Sequence, residues 1–326
     1  MKQMKQLRFF YYLFTAILFS GMMLSCDDTN SLDDDENGSS SGTNNLKSGQ
    51  IEIKAIPENK TNKISFFLTA KKVTIDWGDG RVDELTPNGV SKEFIHEYPN
   101  QNFQTIKVNT EGMTYFYSNS NSLDNYNNFG GAFQELRFGS CPELKRIDCY
   151  DEILTVLDVS KCTALTDLNC GDNQLTSLDV SKCTALTKLN CYYNSLTALD
   201  VSKCTALTDL DCSFNELTSL DVSKCTALTY LDCGWNQLTS LDVSKCTALT
   251  DLNCGHNQLT SLDVSKCTAL TYLYCCYNNL SASALNALFN SLPTRKASDN
   301  AKIYYEYANP GRATCDKTIY EKKGWT

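Results

Sequence analysis

Histidine, basic charge and long apolar runs are all scarce in this chain, and each scarcity closes off a class of function. Two histidines, His96 and His256, stand among 326 residues, and no Cys-x-x-Cys pair occurs among the 17 cysteines. A zinc centre therefore lacks its usual ligands. Cysteine–histidine catalysis needs an exposed thiol beside a base, but almost every cysteine, Cys254 beside His256 included, falls on a core position of the repeat. No catalytic constellation, cofactor site or metal site is read here. Lysine and arginine number 29 against 38 acids, a net charge of −9. That deficit argues against nucleic acid, which wants a basic face, and mainly reports solubility. The apolar run from Phe9 to Phe19 falls short of the ~20 residues that span a bilayer.

What is abundant is repetition. Leu165-Thr-Asp-Leu168-Asn-Cys170-Gly-Asp-Asn173-Gln-Leu175-Thr-Ser-Leu178-Asp-Val180-Ser-Lys-Cys183 is followed by near copies every 21 residues. A fixed period of this size marks a solenoid, in which no unit buries its apolar face alone. Most cysteines fall on two repeating positions, Cys141 to Cys267 and Cys149 to Cys275. One reading makes them small buried apolar thiols. The other makes them ladder disulfides, which a coil spacing of ~4.8 Å permits, although side chains in register point the same way and bridging would strain the coil.

The N-terminus reads as an address. Lys2, Lys5 and Arg8 precede the apolar run, and Gly21-Met-Met-Leu-Ser25 leads to Cys26, the pattern of a secretory signal over residues 1–25. Leu24-Ser25-Cys26 resembles a bacterial lipoprotein box, which implies cleavage before Cys26 and lipid attachment to its sulfur. The acids Asp27, Asp28, Asp33, Asp34, Asp35 and Glu36 resemble the export signal of lipoproteins displayed on the outer face of a Gram-negative outer membrane. Residues 26–48 have almost nothing apolar to bury and read as a disordered tether, reaching roughly 25 Å on average.

Residues 49–118 alternate like strands, at Ile51–Ala55, Ile64–Leu68, Val73–Trp77 and Gln104–Val108. Ile75-Asp-Trp77-Gly-Asp79-Gly80 and Phe94-Ile-His96-Glu-Tyr98 resemble the marks of the PKD-type immunoglobulin-like domain, with Ile75 and Trp77 departing from its pattern. The resemblance implies a β-sandwich. Asp76 and Asp79 suit either turn backbone or a calcium ion, and His96 is most simply a structural strand residue.

The 21-residue unit resembles the leucine-rich repeat, with cysteine in its third leucine slot. The resemblance implies a solenoid over residues 119–282, with six complete copies from Leu165 to about Leu280, an earlier one at Leu144 carrying Glu152 in place of asparagine, and a looser one near Leu123. Leu168 and Cys170 point inward; Asn173 and its equivalents serve the bend. The Asp158 to Asp263 row and the Lys161 to Lys266 row, three residues on, read as scaffold whose opposite charges offset each other. The fold class is therefore mainly β: an immunoglobulin-like sandwich, a leucine-rich-repeat solenoid, and a small α/β cap over 283–326. In that cap Ala284–Leu292 reads as a helix, Ile303–Tyr307 as a strand, Asn309-Pro-Gly311 as a turn and Cys315–Lys323 as a last helix.

Variation between copies concentrates on positions 167, 169, 171 and 172 and their equivalents, which alternation turns outward on the concave sheet. Lys188, Tyr192, Tyr193, Asp211, Phe214, Tyr230, Asp232, Trp235, Asn253, His256, Tyr272, Tyr274 and Tyr277 make a candidate contact surface. Three readings stand: a lipid-anchored, adhesin-like binder of a protein; a glycan-capturing accessory in which Tyr192, Tyr193, Trp235 and Tyr274 stack on sugars; and a passive spacer whose solvent positions have drifted.

Overall fold

The computed structural model describes residues 45–57, 62–118 and 133–326. The signal segment, Cys26, most of the tether and the repeat expected near Leu123 lie outside these residues.

The alternating N-terminal text forms β1 (Gln50–Ala55), β2 (Lys63–Thr69), β3 (Lys72–Asp76), β4 (Val82–Leu85), β5 (Ser91–Glu97), β6 (Gln104–Glu111) and β7 (Tyr115–Ser118). Every second residue of β1 and β2 is buried, as a two-residue period requires. Between β3 and β4 the chain turns on Asp76 and Asp79, whose Oδ1 atoms accept from the Gly78 and Arg81 N–H groups at 3.0 and 3.1 Å. Gly78 has φ +84°, and a Cβ there would stand 2.6 Å from the Thr105 carbonyl oxygen, so the turn needs glycine. His96 is 7% exposed. Its ring stacks on Trp77 at 5.0 Å and its Nε2 lies 2.6 Å from Asp79 Oδ2, a contact that holds the Asp79 carboxyl below the usual range.

β8 (Phe133–Phe138), β9 (Arg146–Asp148) and β10 (Val156–Asp158) follow. One sheet has the order β10-β8-β1-β6-β3-β4. The other starts β5-β2-β7 and continues through β9 into the repeats. The two layers meet through Phe66 on β2, whose ring centroid lies 5.7 Å from Trp77 and 6.3 Å from Phe133. Pairing does not stop at the expected boundary near residue 118. β7 lies parallel to β9, with Phe116 opposite Ile147, so the first coil grows directly on β7 and covers its open edge.

Each repeat contributes three strand residues: β11 (Asp167–Asn169), β12 (Lys188–Asn190), β13 (Asp209–Asp211), β14 (Tyr230–Asp232), β15 (Asp251–Asn253) and β16 (Tyr272–Tyr274), all parallel and in register. Leu168, Cys170, Leu175, Leu178, Val180, Cys183 and Leu186 and their equivalents are buried throughout, each apolar side chain contributing about 1.5–3 kcal/mol. Both cysteine ladders are unbridged thiols. Desolvation drives them away from thiolate, to about 11 at Cys204 and about 12 at Cys183, with the charge of Cys204 adding to the latter.

Three backbone devices join the coils. Asn194 Nδ2 donates to the Cys170 and Cys191 carbonyls at 3.0 and 3.1 Å while its Oδ1 accepts from Leu175 N–H at 2.9 Å; the pattern recurs at Asn173, Asn215, Asn236, Asn257 and Asn278. Glu152 keeps only the acceptor half, taking the Phe133 N–H at 3.0 Å. A threonine row links carbonyls, as in Thr187 Oγ1 to Thr166 O at 3.0 Å. The Asp179 to Asp263 row is also scaffold, but through its own turn: each Oδ1 accepts from the serine N–H two residues on. That bonding is what lowers the carboxyl of Asp200, ahead of the nearby Lys203.

At the C-terminal end α1 (Ala282–Ser291) starts on Ser281, whose Oγ accepts from Ala284 N–H, and packs Leu285, Leu288 and Phe289 inward. It is an insertion within a further coil. β17 (Lys302–Tyr304) pairs with β16, placing Ile303 opposite Leu273, and Asn309 closes the asparagine ladder by accepting from Leu280 N–H and donating to Cys275 O. The outer edge of β17 is covered by the chain end, with Ile303 N–H donating to Thr326 O at 3.0 Å. The last helix shrinks to α2 (Thr318–Glu321), because the Asp316 side chain accepts from Thr318 N–H and caps the chain there.

Candidate functional site

One residue in each coil sits in the left-handed region: Asp151, Asp172, Tyr193, Phe214, Trp235, His256 and Tyr277, with φ between 53° and 60°. A side chain with a Cβ costs roughly 1–2 kcal/mol there, and aspartate is among the few that tolerate it well. From Tyr193 to Tyr277 the chain nevertheless places a ring at every one of these positions, while the last coil has Ala308 there at φ 53°. Successive rings pack on one another. Tyr193 and Phe214 are 5.5 Å apart, Phe214 and Trp235 5.1 Å, Trp235 and His256 3.5 Å, and His256 and Tyr277 3.9 Å. Tyr307 extends the column at 6.1 Å from Tyr277. Stacking of this kind is worth about 0.5–1.5 kcal/mol per pair, which offsets most of the backbone cost. The ring faces are thereby occupied by neighbouring rings, while the outer edges of Trp235 and Tyr277 remain open at 38% and 40% exposure. Desolvation in the stack lowers the His256 imidazole to about 4, so it is neutral at pH 7.

Beside this column lie the strand residues. Lys188, Tyr230 and Tyr272 are exposed, while Asp211, Asp232, Asn253 and Tyr274 are half-buried. Their order across the sheet is set by register: Asp209, Tyr230, Asp251 and Tyr272 in one row, Asp211, Asp232, Asn253 and Tyr274 in the next. Tyr230 is thus flanked by aspartates on both neighbouring strands. Desolvation, then Asp232, Asp211 and Asp251, raise its hydroxyl. Desolvation, followed by the charge of Asp211, pushes Asp232 up to about 6.

The row at 171 departs from the outward placement that alternation implies. Ser213 and Cys276 are 4% and 0% exposed, and Gly171, Gly234 and Gly255 are buried with them. The strand ends two residues before this row, and tyrosines of the next coil lie over it at Gly171 and Gly255. A Cβ on Gly171 would meet the Tyr192 ring at 2.6 Å and one on Gly255 the Tyr274 ring at 2.3 Å. Tyr192 stays half-buried, stacked on Tyr150 at 5.9 Å. The sequence reading missed Tyr150, Tyr304 and Tyr307. Tyr304 packs near Tyr272 and Tyr274 at 5.6 and 6.0 Å. The 21-residue count skips it and Tyr307 because α1 interrupts the last coil, although Ile303 and Asn309 carried the repeat signal.

No protein-family model and no curated protein matches the chain. Among solved structures it is similar to the functional domain of InlJ from Listeria monocytogenes, described as including a cysteine ladder, at 35% identity over 56% of this chain and 43% of that one, TM-score 0.41. It is also similar to the internalin InlF of the same organism, at 22% identity over 50% and 54%, TM-score 0.41. YopM from Yersinia enterocolitica matches at 25% identity over 52% and 34%, TM-score 0.41. The chain spans about half or less of the length of these structures. Repeat text, strand register and asparagine ladder together make a parallel β-solenoid that resembles the leucine-rich repeat.

Proposed function

We propose that this chain is a lipid-anchored surface protein, held at the outer membrane through Cys26, whose solenoid binds a protein partner along the sheet face and the aromatic column. The immunoglobulin-like sandwich serves as its base. The observation that carries the reading is the column of rings from Tyr193 to Tyr277, packed in left-handed backbone positions with outer edges open at Trp235 and Tyr277 and continued by the ring of Tyr307. Neutral drift at solvent positions has no reason to hold bulky rings where glycine or asparagine is cheaper. A sugar ring needs a free aromatic face, and those of Trp235 are taken by Phe214 and His256. Edges and half-buried carboxylates suit the backbone and side chains of a protein better than a glycan.

Affinity capture with the full chain, read against the double variant Tyr193→Asn/Trp235→Asn, tests the binding half. A specific protein is lost with that variant and kept with Thr239→Ala; equal capture of every protein by all three chains refutes it. For the anchor, metabolic palmitate labelling should disappear in Cys26→Ser, and that variant should leave the membrane fraction. Label retained by Cys26→Ser defeats that assignment.

A further inference from the structure

The return path of each coil, outside the sheet, stays constant where the sheet face varies. The text Leu-Thr-Ser-Leu-Asp-Val-Ser-Lys-Cys-Thr-Ala-Leu-Thr over residues 175–187 recurs in the next four coils with one change, Ala198 in the place of Ser177. Core and turn duties account for the leucines, the cysteine, Val180 and Thr187. Thr176, Asp179, Lys182 and Thr184 and their equivalents are exposed, yet they do not change. Drift after duplication acts on exposed positions of both sides alike, so exposure does not explain the difference.

The charged positions form two rows, Asp179 to Asp263 and Lys182 to Lys266. The turn does not require the charge of the first. Asn190 and Asn253 accept the N–H two residues on with a neutral amide, as Asp179 does with a carboxylate. Along the row like charges adjoin, and Asp200 opposes ionisation of both Asp179 and Asp221. The lysines have no turn duty. Among the described residues, Lys182, Lys203, Lys224, Lys245 and Lys266 form no hydrogen bond or ion pair; the first four act on their own coils' carboxyls only through space. The cations at either end are occupied. Lys161 Nζ donates to Leu46 O at 3.1 Å, and Arg295 donates to the Leu270 and Thr268 carbonyls at 2.8 and 2.6 Å. Within residues 174–187 and their equivalents the one other charge is Glu216, at a bend.

Two parallel rows of opposite sign on one period are complementary to themselves. A half-turn about an axis parallel to the solenoid lays the lysine row of a second copy on the aspartate row of the first, and the reverse. A half-turn about the perpendicular axis sets like on like. The period selects the occupant as firmly as the sign does: a partner of other spacing falls out of step within a few coils, whereas a second copy matches at each one. We propose that this side is the interface between two copies of the chain lying parallel, each lysine row against the other copy's aspartate row. Both N-terminal ends then leave in the same direction, as two chains anchored in one membrane require, and both sheet faces stay free. The proposal stands apart from the protein-binding face.

Exposed ion pairs are individually weak and screened by salt, so the test runs at high protein concentration. Sedimentation equilibrium of the full chain carrying Cys26→Ser, which takes lipid out of the readout, should show a dimer. Its dissociation constant should rise about tenfold or more between about 0.1 M and about 1 M salt, as the screening length falls from about 10 Å to about 3 Å. Adding Lys203→Glu/Lys224→Glu/Lys245→Glu should weaken it at least about tenfold at the lower salt. Lys92→Glu/Lys107→Glu/Lys322→Glu, the same charge change at exposed sites elsewhere, should shift it less than about twofold. Circular dichroism should be unchanged in both. A carbodiimide, which condenses a lysine amine with a carboxylate, should join light to isotope-labelled chains between Lys and Asp of the same or adjacent coils; the varying strand residues identify each coil's peptide. A monomer at every concentration, a dimer indifferent to the row variant, or links from Lys182 to Asp263 overturn the inference. None of these outcomes bears on the Tyr193→Asn/Trp235→Asn test, so the protein-binding face stands or falls separately.

Discussion

Asn236→Ala measures what the asparagine ladder is worth. Asn236 is 9% exposed. Its Oδ1 accepts from Leu217 N–H at 2.9 Å, and its Nδ2 faces the Cys212, Cys233 and Gly234 carbonyls at 3.0, 3.1 and 3.3 Å. Gly234 O also accepts from Phe214 N–H at 3.0 Å and stays satisfied. Cys212 O keeps the Asn215 amide at 3.2 Å and Cys233 O the Asn257 amide at 3.0 Å, so alanine leaves one buried N–H, that of Leu217, without its acceptor. At about 1–3 kcal/mol for an orphaned donor, the loss is about 1–3 kcal/mol. Coils contact only their neighbours, so the fault in a middle coil also broadens the transition. Guanidinium unfolding followed by circular dichroism reads both effects, with Thr239→Ala, an exposed change in the same coil, expected within about 0.5 kcal/mol of the parent. Asn236→Asp keeps the acceptor but turns a carboxylate on the carbonyls; it should be at least as damaging as alanine at pH 7 and recover in acid, where the protonated group donates again. A loss below about 1 kcal/mol for Asn236→Ala refutes the reasoning, because the turn would then be held by packing alone.

Replacing Trp235 by asparagine relieves a left-handed backbone at φ 55° while removing two ring contacts, effects of similar size and opposite sign. Stability should therefore move by less than about 1 kcal/mol, and a larger loss means the column exists to hold the coils together. His256 stays neutral down to about 4 in the native stack, against 6.5 for the free ring. The unfolded chain thus binds the proton first, so the stabilisation is complete above pH 6.5 and is lost as pH falls toward 4. For a half-exposed ring this amounts to about 1–2 kcal/mol after solvent screening; a His256→Phe chain that shows the same pH slope contradicts it. Thiol titration with a disulfide reagent at pH 8 should label half-buried Cys315 first among the described cysteines, and Cys212, fully buried and pushed away from thiolate by desolvation, only on unfolding. Prompt native labelling of Cys212 would show that the coils open locally.

Much of this could be read directly from the text because repetition acts as its own control. Leu168, Cys170 and Leu175 recur at one spacing, and only a stack of coils buries all of them at once. The helix over Ala284–Leu292 announced itself by its period and is present as Ala282–Ser291. Legibility ended where the count slipped. Asn309 does the work of Asn278, and Tyr307 that of a stacked ring, yet α1 lengthens the coil and hides both. Ser213 and Cys276 were misplaced for a different reason: two-residue alternation holds only while the strand lasts, and here it ends two residues earlier.

What the amino-acid order decided by itself was the architecture, because each local choice, from leucine spacing to the asparagine at the bend, points to the same coil. Tertiary structure alone decided which residues meet. Tyr193, Phe214, Trp235, His256 and Tyr277 are 21 residues apart in sequence and become one packed column only because successive coils bring a left-handed position into register. The same register sets Asp211 beside Asp232. Contact across coils depends on the spacing between strands, which no single repeat encodes.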